Sequence, residues 1–229
     1  MALYAIGDLH LCLGSPKPMD VFGGAWVGYM DKLKKSLSVL KPNDTLVLLG
    51  DLSWALGLSE AKEDFAWLNE FPGKKILLKG NHDYWWNTAA KFNKFCNENN
   101  FSDFYILNNN HYLYEDWAIC GTRGWFFEEE RSGEHDEKVF KRELCRLEAS
   151  LKSAGDHPKL VFLHYPPRYK GYECPEILDL LKQYDVRQCY YGHLHGASHG
   201  LAMEGLWDGI EYHLVSADWI DFRPIQVIP

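Results

Sequence analysis

The stretch Leu3-Tyr4-Ala5-Ile6-Gly7-Asp8 shows the pattern that indicates the fold, a short apolar run that ends at glycine and a polar residue. Similar apolar runs end at polar residues near positions 51, 81, 164 and 193. Residues 30–40 lie between the first two runs and carry leucines at helical spacing. Short buried strands that alternate with amphipathic helices predict an α/β protein.

Two later segments predict further strands. Residues 104–120 contain three short apolar runs separated by polar turns, which predicts a meander of three strands. Residues 210–215 and 225–228 are expected to close a second sheet. No repeat or linker interrupts the 229 residues, so we expect a single domain over residues 1–229.

The charge of the chain limits its partners. The formal net charge is -8, which argues against a broad basic surface for duplex nucleic acid or anionic lipid. Six scattered cysteines suggest neither a disulfide framework nor a zinc ribbon, and no apolar run reaches membrane-spanning length. We therefore expect a cytoplasmic protein that binds neither duplex nucleic acid nor a membrane, and the oligomeric state stays open.

Candidate ligands for metal ions follow five of the predicted strands. Because α/β sheets place their ligand-binding loops beyond the carboxyl ends of strands, we expect these side chains to converge. A glycine precedes the ligand motif in four of the five groups and lets the chain turn sharply. The candidates are Asp8, His10, Asp51, Asn81, His164, His193 and His195.

This mixture of carboxylate, amide and imidazole groups points to a particular chemistry. Oxygen and nitrogen donors without thiolate suit manganese, iron or zinc. Two such ions about 3.5–4 Å apart can clamp a phosphoryl group and lower the pKa of a bound water, which makes a nucleophile near neutral pH. Asp51 is the candidate for a carboxylate that bridges both ions.

The series Gly-Asp-x-His, Gly-Asp, Gly-Asn-His-Asp, a strand-end histidine and Gly-His-x-His resembles the calcineurin-like metallophosphoesterase superfamily. These motifs span residues 7–196 in the order found in that family. The resemblance implies a two-sheet mixed β-sandwich flanked by helices, in four α/β/β/α layers. It also implies a hydrolase that cleaves a phosphomonoester or phosphodiester by attack of a metal-bridging hydroxide.

The resemblance also assigns roles to residues. One metal ion would take Asp8, His10, Asp51 and His195, and the other would take Asp51, Asn81, His164 and His193. His82 would bind neither metal ion. It would act as the general acid that protonates the leaving group.

One departure from the protein-phosphatase branch of the family bears on the substrate. That branch places an Asp three residues after the bridging Asp and an Arg beside it, whereas Trp54 and Ala55 occupy these positions here. Arg123 or Arg168 could replace the missing phosphate clamp, since a guanidinium binds phosphate in a bidentate manner. The substrate is therefore expected to be a small organic phosphate or nucleotide.

Several other interpretations remain open at this point. A single histidine at the end of a strand, such as His164, is more often a structural residue than a metal ligand. Asp8 or Asp51 could each be a turn residue. The chain could be a nuclease or nucleotide pyrophosphatase in which Tyr84-Trp85-Trp86 stacks a base, although aromatic core is the commoner role for such residues. It could also be a non-catalytic scaffold, and the loop from Leu11 to Gly28 could form either the rim of a site or an ordinary solvated loop.

Overall fold

A computed structural model describes residues 1–125 and 134–228 of the chain. The strands in these residues are β1 (Leu3–Ile6), β2 (Thr45–Leu48), β3 (Lys74–Leu77), β4 (Phe104–Ile106), β5 (His111–Tyr114), β6 (Trp117–Thr122), β7 (Lys159–Leu163), β8 (Arg168–Tyr169), β9 (Tyr172–Glu173), β10 (Gln188–Tyr191), β11 (Gly205–Trp207), β12 (Ile210–Leu214) and β13 (Ile225–Ile228). The helices are α1 (Tyr29–Leu37), α2 (Lys62–Asn69), α3 (Ala89–Glu98), α4 (Glu134–Ser153) and α5 (Pro175–Gln183). Short 3₁₀ helices span Met19–Phe22, Gly24–Trp26 and Gly196–Leu201.

Most of the strands belong to two mixed sheets. The first sheet has the order β13-β1-β2-β3-β4, and the second has the order β11-β12-β10-β7-β6-β5. In the first sheet β1 to β4 are parallel and β13 is antiparallel to β1. In the second sheet β6, β7, β10 and β12 are parallel, with β5 and β11 antiparallel at the two edges.

The two sheets pack face to face and each is covered by helices on its outer side. Val47 and Ile76 of the first sheet meet Leu160 and Phe162 of the second in one buried cluster. Strand positions alternate between the two faces of a sheet, so the neighbouring residues of the same strands face the helices. Helices α1 to α3 cover the first sheet and α4 and α5 cover the second. The predicted four-layer α/β/β/α sandwich is confirmed.

Helix α1 forms where the apolar period of the sequence predicts it. In α1, Leu33 and Leu37 are buried against the first sheet, as the leucine stripe predicts. Thr88 caps α3, because its Oγ1 accepts a hydrogen bond of 3.3 Å from the backbone N–H of Lys91. Among the helices of residues 1–125 and 134–228, none combines the length and apolar character needed to cross a bilayer.

Strand pairing differs from the prediction at two places. Residues 104–120 do form three strands, but β4 pairs with β3 in the first sheet while β5 and β6 form a hairpin in the second. Strand β13 pairs with β1 in the first sheet, so it does not close the second sheet. Period-two apolar patterns show which side chains of a strand are buried, but they carry no information about which strand lies beside it.

Candidate metal centre

The seven predicted ligands lie at one edge of the sandwich. They follow the carboxyl ends of β1, β2 and β3 in the first sheet and of β7 and β10 in the second. The two sheets approach each other there, since the backbone N–H of Gly7 donates to the carbonyl of Val215, 2.8 Å away. Side chains from both sheets therefore reach the same small volume.

The backbone of several ligand residues is strained. Asp8, His10, Asp51 and His193 have φ values of 59°, 47°, 48° and 72°. Residues other than glycine seldom adopt this left-handed region, and such conformations cluster at functional sites. The surrounding structure holds four of the seven predicted ligands in this unfavourable conformation.

Two of the glycines in the motifs are required by close packing and not by the sharp turn that the sequence analysis expected. A β-carbon at Gly192 would lie 2.5 Å from Asp8 Oδ2, and one at Gly80 would overlap the carboxylate of Asp51. These glycines are therefore needed because a ligand carboxylate lies against their backbone. Gly50, with a φ of 84°, does supply the sharp turn that the sequence predicts.

The first group of candidate ligands contains Asp8, His10 and His195. One donor atom from each of the three lies within 4.8 Å of the others. The Nε2 atoms of His10 and His195 face each other at 3.4 Å, and His195 Nε2 is 3.6 Å from Asp8 Oδ1. Asp8 Oδ1 is buried and has no hydrogen-bond partner among the described residues. A cation would satisfy this buried oxygen and separate the two imidazole nitrogens.

The second group contains Asp51, His164 and His193, whose donor atoms also lie within 4.8 Å of one another. Asn81 joins them, with its Oδ1 2.6 Å from His164 Nε2. The other ring nitrogen of His164, Nδ1, lies 3.0 Å from the carbonyl of Leu49 and can donate to it, which leaves Nε2 for a metal.

Asp51 lies between the two groups. Its Oδ2 is 3.8 Å from His10 Nε2 and 3.6 Å from His164 Nε2. Its Oδ1 accepts a hydrogen bond of 2.7 Å from the backbone N–H of His82, which fixes the carboxylate. One carboxylate oxygen is thus shared by both groups, as a bridging ligand requires.

The charges of the site are strongly coupled. Burial and then the adjacent Asp8 raise the pKa of Asp51 to about 8. Burial alone would also raise the pKa of Asp8, but His195 and the other nearby histidines outweigh it and lower that pKa. Burial, followed by His164, lowers the pKa of His193 to about 3. A neutral imidazole is the form that binds a metal ion.

Asp218 was not recognised in the sequence. Its Oδ1 lies 2.8 Å from His195 Nδ1 and its Oδ2 lies 3.3 Å from His199 Nε2. Burial would lower the pKa of His195, but Asp8 and Asp218 raise it to about 10. A carboxylate on the distal nitrogen of a metal-binding histidine fixes the orientation of the ring. Asp218 follows the end of β12, so the strand-end rule that found the ligands could have found it.

Asp83 is a second residue whose role the sequence did not reveal. Its carboxylate accepts backbone N–H groups from Gly80 at 2.7 Å and from Asp51 and Leu52 at 2.9 Å each. The indole N–H of Trp85 also donates to it, at 2.9 Å. Asp83 therefore fixes the loop that carries Asp51 relative to the loop that carries Asn81 and His82.

His82 lies beside the first group in an aromatic surrounding. It lines a cavity of about 260 Å³ together with Trp26, Trp54 and Phe22. The ring of Trp54 is 4.5 Å from His82 and stacks on His10 at 4.8 Å. Trp54, at the sequence position where the protein-phosphatase branch has a carboxylate, contacts the ring of His82. We call this space the aromatic cavity.

A cation that sequence reasoning missed lies at the aromatic cavity. Lys17 Nζ is 3.0 Å from the centre of the Trp54 ring, and its charge contributes, after burial and His164, to a pKa of His82 lowered to about 4. Met19 accepts the indole N–H of Trp54 at 3.0 Å. The loop from Leu11 to Gly28 thus forms part of the rim, and an isolated lysine within it gives no sequence signal.

The two predicted phosphate clamps lie elsewhere. Arg168 is 5% exposed and donates to Glu173 at 2.5 Å and to Asp208 at 2.9 Å. Arg123 lines a different cavity, and its Nη2 is 3.7 Å from Glu143 Oε1. Neither arginine lines the aromatic cavity. Their role in phosphate binding at the metal centre stays a prediction.

The aromatic run at Tyr84-Trp85-Trp86 is divided between core and surface. Trp85 is buried against Phe65 and Phe92, so it belongs to the core. Tyr84 is 57% exposed with its ring 6.1 Å from that of His82. Only the first residue of the run is both exposed and beside the site.

Comparison with known proteins places the chain in a family. No curated protein sequence matches it. Its fold is similar to solved structures of a protein of unknown function, AQ665, from Aquifex aeolicus (TM-score 0.56, 20% identity, covering 98% of this chain and 95% of that one) and of the phosphopantetheinyl hydrolase PptH from Mycobacterium tuberculosis (0.61, 16%, 100% and 96%). It is also similar to TT1561 of Thermus thermophilus (0.59, 14%, 99% and 97%). The family model described as calcineurin-like phosphoesterase matches residues 1–197, and the chain therefore belongs to that family.

Proposed function

We propose that this protein is a phosphohydrolase that uses two divalent metal ions to cleave a small organic phosphoester. The observation that carries the proposal is the position of Asp51, whose Oδ2 lies within 3.8 Å of an imidazole nitrogen from each ligand group. Manganese, iron and zinc suit this set of oxygen and nitrogen donors. Both phosphomonoesters and phosphodiesters are compatible with it.

Different residues of the chain would bind the metal ions and donate a proton in such a reaction. Bound metal ions would supply Lewis acidity and activate water at neutral pH. Asp8, His10 and His195 would hold one ion, and Asn81, His164 and His193 the other, with Asp51 shared. His82 faces the aromatic cavity beside both His10 and His195, within reach of a leaving group placed there. It would donate a proton to the departing oxygen as general acid.

The aromatic cavity supports a substrate with an apolar organic group. Phe22, Trp26 and Trp54 provide flat surfaces for a ring or hydrocarbon, directly beside the candidate ligands His10 and His195. Lys17 places a positive charge over Trp54, and this charge would attract the phosphoryl group of an ester bound beside it. Trp54 and Ala55 stand where the protein-phosphatase branch has an aspartate and an arginine. This replacement favours a small organic phosphate over a phosphoprotein as the substrate.

A nucleotide diesterase or pyrophosphatase is the second candidate. The exposed ring of Tyr84 beside His82 favours it, since a base could stack there. A diesterase would cleave bis(4-nitrophenyl) phosphate and leave 4-nitrophenyl phosphate intact, whereas a monoesterase would show the reverse preference.

Metal analysis combined with a substrate panel tests the proposed function. The purified protein is supplemented with manganese, dialysed and assayed for bound metal, then incubated with nucleotides, cyclic nucleotides, sugar phosphates and both nitrophenyl esters. We expect two metal ions per chain and hydrolysis that EDTA abolishes and manganese restores. Fewer than one metal ion per chain, together with no hydrolysis across the panel, would contradict the proposal and favour a non-catalytic scaffold.

The cellular location of the protein and the class of its substrate remain proposals. All six cysteines are free thiols, in agreement with a cytoplasmic location. The net charge of -8 favours a small phosphorylated substrate over duplex nucleic acid.

A further inference from the structure

A second cavity, of about 540 Å³, lies where the ends of β3, β4 and β6 meet α4. Lys79, Arg123 and Arg146 line it, together with Glu143. Trp86 contributes an apolar wall. None of the seven candidate metal ligands is among the described residues that line it. We call this space the cationic cavity.

The charges of the cationic cavity do not balance within the described residues. Lys79, Arg123 and Arg146 bring three positive groups, and Glu143 is the one carboxylate among the lining residues that the structure describes. Glu143 is only 3% exposed, and it accepts hydrogen bonds from Arg146 at 2.5 Å and from Thr122 Oγ1 at 2.8 Å. Among the described lining residues, three cations against one carboxylate leave a formal excess of two positive charges around this cavity.

Arg123 has donor capacity that its protein neighbours do not use. Its Nε is buried and has no hydrogen-bond partner in residues 1–125 and 134–228. Among the described residues, the carboxylate paired with Arg123 is that of Glu143, whose Oε1 lies 3.7 Å from Arg123 Nη2, which is too long for a good hydrogen bond. An unpaired guanidinium nitrogen is costly to bury, and the Arg123 side chain, which is 20% exposed, lines the cavity. An anionic ligand in the cavity can therefore pair with this guanidinium.

We propose that the cationic cavity binds the phosphoryl group of a small phosphorylated molecule, at a site separate from the candidate metal centre. A phosphate monoester carries up to two negative charges, which matches the excess of two positive charges. Guanidinium groups recognise phosphate through paired N–H donors. The volume falls in the range of pockets that hold molecules of nucleotide size, and Trp86 provides a surface for the organic part. This inference goes beyond the proposed hydrolysis and does not depend on it.

The residues chosen for a test should not disturb the metal centre. The carbonyl of Arg123 accepts the backbone N–H groups of His164 at 3.2 Å and Tyr165 at 2.9 Å, so a change there could move a candidate ligand. Arg146 lies on α4 and is 36% exposed, and Asn109 lies at the exposed part of the lining. Arg142 is an exposed arginine on the same helix that is not among the lining residues, and it serves as the matched control.

Isothermal titration of the metal-loaded protein tests the proposal. The probes are inorganic phosphate and the non-hydrolysable phosphonate analogue of AMP, so that the source of the phosphoryl group can be distinguished. The metal centre can also bind either probe, and we therefore expect two bound molecules per chain for the natural protein and for Arg142→Gln. Arg146→Gln should weaken one of the two sites by roughly tenfold to a hundredfold, the effect of losing one charge-assisted hydrogen bond.

A second variant keeps the test decisive if Arg146→Gln folds poorly. Asn109→Asp adds a negative charge at the cationic cavity and should weaken the same site while leaving the other unchanged. Tighter binding of the AMP analogue would identify a nucleotide-like source, and equal binding would identify free phosphate. Whether the natural protein binds one molecule or two, equal affinities in Arg146→Gln, Asn109→Asp and Arg142→Gln would overturn the proposal.

Discussion

The aromatic cavity and the cationic cavity are built at the same end of the sandwich but have opposite chemistry. The first is lined by Phe22, Trp26 and Trp54 and touches His10 and His195 directly. The second is lined by three basic side chains and is connected to His164 through the backbone. The loop after β1 provides most of the rings, whereas the ends of β3 and β6 and helix α4 provide the charges. The same pair of sheets can thus place an apolar and a charged space near one candidate metal centre.

The largest expected effect comes from the residue that both ligand groups share. Asp51→Asn removes the carboxylate charge between the groups and should lower kcat by roughly a thousandfold, which corresponds to about 4 kcal/mol in the barrier. Bound metal should fall below two ions per chain in elemental analysis. Asp31→Asn, at an exposed position on α1, is the control and should keep full activity. Normal metal content and normal kcat in Asp51→Asn would remove the assignment of Asp51 as a bridge.

The next effect separates chemistry from metal binding. His82→Ala removes the candidate general acid and should reduce kcat by about 10²–10⁴-fold with two metal ions still bound. A leaving group of low pKa, such as 4-nitrophenol, needs less protonation and should lose less activity than an alkyl alcohol. The exposed His157, in the turn before β7, provides the control in His157→Ala. An equal loss for both leaving groups would argue against a general-acid role.

A smaller effect is expected at the residue that orients a ligand. Asp218→Asn keeps an oxygen near His195 but loses the carboxylate charge, and the affinity for metal should fall by about 10–100-fold. Asp221→Asn, three residues later and 57% exposed, is the matched control. Metal titration followed by activity measurement distinguishes the outcomes, because a purely structural role would lower the thermal midpoint without changing the metal affinity of the folded protein.

The smallest effects should reveal what the aromatic cavity selects. Phe22→Ala should lower kcat/KM about tenfold or less for phenyl phosphate and leave methyl phosphate unchanged, since only the ring contact is lost. Lys17→Met should lower kcat/KM for both esters by a similar factor, because the phosphoryl group is common to them. Val21→Ala is the control for Phe22, being adjacent in sequence, 73% exposed and outside the cavity lining. Equal responses of both esters to Phe22→Ala would mean that the cavity does not hold the organic group.

Much of the candidate site could be predicted from the sequence because each ligand immediately follows an apolar run. Asp8, Asp51 and His164 could be placed at strand ends without knowledge of the topology, since parallel strands bring such ends to one edge. Lys17 could not, because an exposed lysine in a loop has no pattern that distinguishes it from other surface lysines. Trp54 was recognised only as a departure, and its contact with His82 needed coordinates.

The fold shows the same division. The alternation of strands and helices predicted an α/β protein, and the resemblance to the calcineurin-like family implied its four layers. Neither indicated the sheets to which β4 and β13 belong. Both strands pair with partners that the local pattern does not specify, and β13 pairs with the first strand of the chain. Turn residues and apolar period are local properties, but strand pairing depends on the energy of the whole packed arrangement.

The sequence by itself determined the types of donor atoms, their order along the chain and their position at strand ends. The resemblance to the family implied how they would be grouped, and the packing of the two sheets is the physical cause of that grouping. His10 and His195 are separated by 185 positions and bring their Nε2 atoms to 3.4 Å because the loops that follow β1 and β10 meet where the two sheets join. The same packing decides that Trp54 meets His82 and that Arg123 meets Glu143. Local residue patterns fix which groups are available, and the contacts between distant strands and helices fix which of them act together.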